Sequence, residues 1–308
     1  MNDLILHHYP QSPVAEKVRT GLGLKELSWA SVIIPRIPPK PDVIALTGGY
    51  RRTPVMQVGA DIYCDSQCIL RELERRFPEP TFFPNNDEAG FAWAFSRWTD
   101  TQLFDSCVRI VISAGADSLP EEFARDRGRL YFGPDCDLKK AQADIPHLSA
   151  DLAAAFGWLE DVLSDGRAFL GGKKPGLRDA LVHFLVWFLA GRWAEGPTFL
   201  ARFPKLVEWE TRAVAIGHGT AVDMESSAAL EIAKNASPEP RDSMANDAQG
   251  IAAGQIVSVA PDVDGGEDPV TGQVHFVSKD EIALLHENPR VGTVAVHFPR
   301  VGYRVTPA

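Results

Sequence analysis

Residues 51–70 read RRTPVMQVGADIYCDSQCIL, and the fold can be worked outward from them. Pro54 to Val58 and Asp61 to Cys64 are strand-like runs, and Gly59-Ala60 between them reads as a tight turn, so this stretch predicts a hairpin. From Ser66 the apolar residues Ile69, Leu70, Leu73 and Phe77 recur at helical spacing until Pro78 stops them. Thr53-Pro54 leads straight into the first strand, where proline would forfeit a ladder hydrogen bond, so it belongs at the strand's beginning or edge. Asp65-Ser66 lies where a strand stops and a helix begins. The unpaired N–H groups and positive helix end there can receive a carboxylate, and a simple helix cap is the alternative role for both residues.

Upstream, residues 3–8 (DLILHH) form a short apolar run ending at Tyr9-Pro10. Ser12-Pro13 then opens a helical pattern through Val14, Val18, Leu22 and Leu24. Ser28 to Ile34 is a second strand, followed by a Pro-rich segment and a short helix ending at Thr47-Gly48-Gly49. The first eighty or so residues therefore read β-α-β-α-β-β-α. Downstream of Pro84, amphipathic segments at about 87–115, 119–131, 138–164, 177–193 and 204–217 predict a helical bundle. Residues 226–250 shift to Ala, Ser, Pro, Asn and Asp, the composition of a solvated linker. The last sixty residues alternate apolar and polar positions in IVSVAPDV, GQVHFVS, EIALLHE, GTVAVHF and YRVTPA, which predicts a small antiparallel sheet or barrel.

Length alone favours two or three domains for 308 residues. With 45% hydrophobic and 23% charged residues, a real core can form and wholesale disorder is excluded. Thirty-one basic against forty-one acidic residues leave a net charge of -10, which repels nucleic acid and anionic membranes. The longest apolar stretch, Ala180 to Ala190, is too short to span a bilayer and contains His183. The N-terminus MNDLILHHYP lacks the regions of a secretory signal, so a cytoplasmic location is expected. Cys64, Cys68, Cys107 and Cys136 are too sparse for a disulfide framework and lack CxxC pairs. Asp262, Asp264 and Asp268 around Gly265-Gly266 fail the calcium-loop pattern, and His275, His286 and His297 fall on separate strands, so no metal site is expected.

Four local signatures together resemble the glutathione transferase superfamily over roughly three quarters of the chain. They are Tyr9-Pro10-Gln11-Ser12-Pro13, Arg52-Thr53-Pro54-Val55, Asp65-Ser66, and Gly176-Leu177-Arg178-Asp179 opening an apolar helix. The resemblance implies an α/β thioredoxin-like domain over residues 1–84, an all-α helical bundle domain over 85–226, a linker at 227–249 and, outside the resemblance, a small all-β, barrel-like domain at 250–308. It implies a cis Thr53–Pro54 bond, with the Thr53 backbone holding the cysteinyl part of glutathione. Ser66 would receive the γ-glutamyl carboxylate and Asp65 the ammonium group, while Lys40, or Arg52 as second candidate, would meet the glycine carboxylate. Arg97, Trp98, Phe104 and Arg109 lie where the family places the wall of its electrophile pocket, although core or dimer contacts are the commoner role of such side chains. Asp179 resembles the family's buried capping aspartate, with Gly176 where Ser or Thr is usual and the reciprocal cap therefore weakened.

Ser12 stands where the family places the Ser, Cys or nearby Tyr that governs the glutathione thiol, and Tyr9 is the alternative hydroxyl. A cysteine could form a mixed disulfide, whereas a serine can only donate a hydrogen bond to a thiolate, which favours transferase chemistry over disulfide exchange. Lowering a thiol pKa of about 8.5 by about two units needs about 2.7 kcal/mol of thiolate stabilisation, within reach of a hydroxyl and a helix N-terminus. The expectation is an enzyme that activates glutathione, its co-substrate, against a small hydrophobic electrophile, as a homodimer that binds neither nucleic acid nor membrane. The rival is a non-catalytic dimer that binds partners through its C-terminal strands, and a thiol oxidoreductase is the third reading.

Overall fold

The computed structural model describes residues 4–85, 87–263 and 265–308. They form two compact units. One, the sheet unit, takes the chain up to Val18, Ser28–Arg76 and Thr220–Ala308; the other, the helical unit, takes Arg19–Leu27 and Phe77–Gly219.

The N-terminal half of the sheet unit follows the expected thioredoxin-like order: β1 (Leu4–His8), α1 (Pro13–Leu24), β2 (Ser28–Ile33), α2 (Pro41–Thr47), β3 (Val55–Val58), β4 (Asp61–Cys64) and α3 (Ser66–Arg76). β1 pairs parallel with β2 and antiparallel with β3, and β3 turns into β4 through Gly59-Ala60. Gly59 has φ +59, a left-handed conformation that glycine adopts without a Cβ clash, so the turn can be this tight.

The C-terminal chain adds β5 (Thr220–Asp223), α12 (Ser226–Lys234), β6 (Ile256–Pro261), β7 (Val270–Val277), β8 (Glu281–Asn288), β9 (Gly292–Pro299) and β10 (Tyr303–Pro307). Here the structure departs from the boundaries read in the sequence. The strands of 250–308 are antiparallel among themselves, but β9 also pairs parallel with β4, matching Asp61 with Ala295 and Tyr63 with His297. β5 pairs parallel with β2 on the far side, so the described residues form a sheet of ten strands in the order β10-β6-β7-β8-β9-β4-β3-β1-β2-β5. Ile5, Val32, Leu46 and Ile62 share one apolar core with Val259, Val274, Leu284 and Phe298. The segment expected as linker also contributes, through Ala229, Leu230 and Ala233 of α12. The physical reason is that β4 is the outer strand of the N-terminal hairpin, and its unpaired backbone groups accept a further strand. Among the described residues the C-terminal strands thus share their core with the N-terminal strands.

The helical unit contains α4 (Ala89–Trp98), α5 (Phe104–Ala114), α6 (Glu121–Phe132), α7 (Leu138–Ala141), α8 (Ile145–Leu163), α9 (Leu177–Arg192), α10 (Gly196–Leu200) and α11 (Pro204–Val214). α4 and α5 are joined by a π-helical stretch, Thr99–Leu103. Phe156, Phe184, Leu206 and Trp209 are at the centre of its core. The Asp179 carboxylate, fully buried, accepts hydrogen bonds from Leu170 N–H (2.9 Å), Gly176 N–H (2.8 Å) and Trp209 Nε1 (2.7 Å). A Cβ on residue 176 would come within 2.8 Å of Pro84 Cδ and 2.9 Å of Phe82 O, which explains why glycine replaces the usual capping hydroxyl and leaves a one-sided cap. Among the described residues no helix is long and apolar enough to cross a membrane.

Candidate functional site

The register of the sheet unit gathers the sequence signatures at one end of three strands. His7 of β1 lies opposite Val55 of β3, and Val55 lies opposite Cys64 of β4. Tyr9 and Ser12 after β1, Thr53 and Pro54 before β3, and Asp65 and Ser66 after β4 therefore emerge at the same edge. The Thr53–Pro54 bond is cis.

Ser12 caps α1, its Oγ accepting the Ala15 N–H at 3.2 Å while its own N–H donates to Tyr9 O at 3.1 Å. Both Ser12 and Tyr9 are buried, and the Lys40 ammonium lies 5.9 Å from the Tyr9 ring centre. Asp65 has φ +72, the left-handed region that aspartate tolerates better than most residues, and its Oδ1 accepts the Gln67 N–H at 2.8 Å. The capping role is thus real for both Ser12 and Asp65. Ser66 and Gln67, in the first turn of α3, are buried, and among the described residues the side-chain nitrogen of Gln67 has no hydrogen-bond partner.

The two basic candidates are engaged within the protein. Lys40 Nζ donates to Arg51 O at 3.0 Å and Thr53 Oγ1 at 2.9 Å, so it pins the approach to the cis-proline. Arg52 Nε donates to both carboxylate oxygens of Glu267 (2.7 and 3.0 Å), and Nη2 completes the fork. Burial opposes the charge on Arg52, and the Glu267 carboxylate outweighs it, raising the guanidinium pKa above its ordinary value.

Three participants were invisible in the motifs. Glu267 comes from the turn between β6 and β7, Tyr303 from β10, and Tyr50 from the loop after α2. Tyr303 OH donates to Asp65 Oδ2 at 3.0 Å, and the Tyr50 and Tyr303 oxygens are 3.3 Å apart. Since Tyr303 has one proton and the carboxylate takes it, Tyr50 supplies the proton between the two rings. Burial, reinforced by the Asp65 charge, pushes both phenols well above the ordinary tyrosine range, which keeps them donors. No local pattern marks Glu267 or Tyr303, which lie 215 and 238 positions from their partners.

Burial pushes the thiols of Cys64, Cys68 and Cys107 above their ordinary value, so they remain protonated and poor nucleophiles. Of the helical residues, Arg109 pairs with Asp105 at 2.7 Å, Trp98 stacks on Trp158 and Phe104 packs against Tyr131 and Phe184, all within their own unit. Asp262 pairs with Arg304, and Asp264 falls outside the described residues. His297 is bound by Asp61 and Glu281, His275 donates to Glu239 O, and among the described residues no cluster with metal-ligand character occurs.

Residues 6–81 match the family of the glutathione S-transferase N-terminal domain. A GST-like protein from Pseudomonas syringae is 38% identical, covers all of both chains and superposes with a TM-score of 0.80, so the likeness includes the C-terminal strands. Rice GST1, solved in complex with glutathione, is 22% identical over 70% of this chain and 90% of its own, with a TM-score of 0.52. FzlA from C. crescentus is 19% identical over 68% of this chain and 87% of its own, also at 0.52. No curated protein matches the chain.

Proposed function

The chain belongs to the glutathione transferase superfamily, and from that premise we propose that it binds reduced glutathione and activates the thiol against a small hydrophobic electrophile. The observation that carries this reading is the register that brings Ser12, Thr53, cis-Pro54, Asp65 and Ser66 to one end of the sheet. The γ-glutamyl carboxylate meets Ser66 at the start of α3, where unpaired N–H groups and the helix dipole favour an anion. Gln67 adds a buried donor in need of an acceptor. Asp65 takes the ligand's ammonium group, and the Thr53 backbone takes the cysteinyl peptide. The thiol proton leaves to solvent, and Ser12 donates a hydrogen bond from its hydroxyl to the thiolate, since its oxygen already accepts the Ala15 N–H. The thiolate sulfur then bonds to the electrophilic carbon, whose leaving group or electron pair accepts the charge. Cys64 and Cys68, the cysteines of the sheet edge, are buried and protonated, which disfavours disulfide exchange through them.

A second reading has one observation in its favour: Arg52 and Asp65 already hold Glu267 and Tyr303, as in a retained fold that no longer binds the peptide. Calorimetry with reduced glutathione separates the two. The enzyme reading expects saturable binding, weakened by about 1 to 3 kcal/mol in Ser66→Ala. It also expects Ser12→Ala to slow turnover near neutral pH more than it weakens binding, with partial recovery at high pH. Wild-type protein that gives no binding heat with glutathione would leave only the second reading.

A further inference from the structure

Arg52 immediately precedes Thr53 on the approach to the cis-proline, and on the glutathione reading it is, with Lys40, a candidate partner for the ligand's far carboxylate. Its charge is already answered. The Glu267 carboxylate is held by a fork of hydrogen bonds, with only 6% of its side chain exposed. An entering ligand carboxylate would exchange one anion for another at Arg52 and leave Glu267 unpaired with little water around it, so the exchange yields no net attraction. The turn that delivers Glu267 is fixed at its base. Val259 pairs with Val270 where β6 and β7 flank it, the Asp262 N–H donates to Gly302 O at 2.9 Å, and the Asp262 carboxylate holds Arg304. Lys40, the other cation, already donates to Arg51 O and Thr53 Oγ1.

We propose that Glu267 is a specificity-determining residue of this site, withholding Arg52 from the ligand, so that γ-glutamyl-cysteinyl thiols whose far end is uncharged are accepted as readily as those ending in a carboxylate. The inference rests on the glutathione reading above and assigns a role to a residue of the β6–β7 turn, outside the thioredoxin-like part. The substrate class it names includes glutathione esterified or amidated at glycine. The α-amino acid head of the ligand is unaffected, because its partners at Asp65 and Ser66 do not include Arg52.

Calorimetry on the intact protein with reduced glutathione and its glycyl monoethyl ester tests the assignment. In the wild type the two dissociation constants should agree within about twofold, because the ligand's terminal charge gains little from a guanidinium that is already paired. Glu267→Gln keeps the side-chain shape and an acceptor oxygen but removes the negative charge, so the guanidinium charge is no longer answered and glutathione should bind about tenfold more tightly while the ester is unchanged. Arg52→Gln added to Glu267→Gln should cancel that gain. A wild-type preference of tenfold or more for the free acid overturns the proposal, as does a folded Glu267→Gln protein with no gain for glutathione. Should Glu267→Gln fail to fold, the wild-type comparison of acid and ester still decides. If neither ligand binds either protein, the glutathione reading itself falls; if both bind and the acid dominates, only the role of Glu267 falls.

Discussion

In the helical unit the buried Asp179 carboxylate joins residues near one another in the chain, reaching Gly176, Leu170 and Trp209 across separations of 3, 9 and 30 positions, while the partly exposed Arg178–Asp87 pair spans 91. In the sheet unit the decisive contacts span most of the sequence. His297 meets Asp61 across 236 positions, and Glu72 at 1% side-chain exposure is clamped by Arg75, Arg76 and, from 169 positions away, Arg241. Both units bury carboxylates, but they satisfy them differently. Asp179 is surrounded by neutral N–H donors inside an apolar core, whereas Glu72 sits among guanidinium groups and the Tyr63 hydroxyl. A carboxylate held by neutral donors ties together a local piece of chain. One held by arginines from both ends of the chain ties the C-terminal strands to the thioredoxin-like strands.

The largest effect should come from breaking the local hub. Asp179→Ala removes the acceptor of three donors that are then buried without partners, and it should lower the stability of the helical unit by about 4 kcal/mol. Hydrogen exchange should place the loss in α9 and α11 and leave the sheet protected. A loss shared equally by β4 and β9 would erase the contrast drawn between the units.

The second test is acid. Burial opposes the charge on Glu72, and the guanidinium groups of Arg75, Arg241 and Arg76 outweigh it, holding the carboxyl down to about 2 against an ordinary value of 4.5. A folded-state pKa below the unfolded one gives stability that is fully present above about pH 4.5 and is lost as the pH falls through 2, roughly 3 kcal/mol in all. Denaturant unfolding between pH 7 and pH 2, read on the sheet unit, should show this loss, and Glu72→Gln should flatten it while lowering stability at neutral pH. An equal acid slope in wild type and variant would remove Glu72 from its assigned role. His297 acts with the opposite sign. Burial favours its neutral form, but the bonds to Asp61 and Glu281 win and raise its pKa, so its contribution is complete below about 6.5 and fades as the pH rises through the folded value.

The same contrast explains what could be read in the sequence. Residues 51–70 show a hairpin and a helix start because turn glycine, alternation and helical spacing are local signals, and the helical segments beyond Pro84 are legible for the same reason. Strands β6 to β10 were equally visible as strands, but alternation reveals which face is buried and not which distant strand is the neighbour. Nothing near Asp61 announces Ala295 or His297. α12 reads as a linker because its buried face is made of Ala229, Leu230 and Ala233, a single large apolar side chain between two small ones, which gives a weak periodic signal. In the site, Ser12, Thr53, Pro54, Asp65 and Ser66 follow from motifs at element ends, whereas the engagement of Arg52 by Glu267 and of Asp65 by Tyr303 depends on the unreadable β4–β9 pairing.

The smallest expected effect asks whether that pairing reaches function or only stability. Tyr303→Phe keeps the ring against Phe298 and deletes the hydroxyl that donates to Asp65 Oδ2. Asp65 is partly exposed, so water can replace the lost donor, and its Oδ1 remains fixed by the Gln67 N–H. The cost to folding is then confined to the buried Tyr50 hydroxyl, which loses its partner at about 1 kcal/mol. What changes is the orientation of the carboxylate oxygen that the glutathione reading assigns to the ligand's ammonium group. Loss of one hydrogen bond to a charged, partly hydrated group is worth about 1 kcal/mol, so the glutathione dissociation constant should rise about fivefold. The melting temperature should fall by only a few degrees. A lower melting temperature with unchanged affinity would instead make β10 a support for the sheet alone, with Asp65 oriented by the α3 cap and the C-terminal strands contributing to the site only through Glu267.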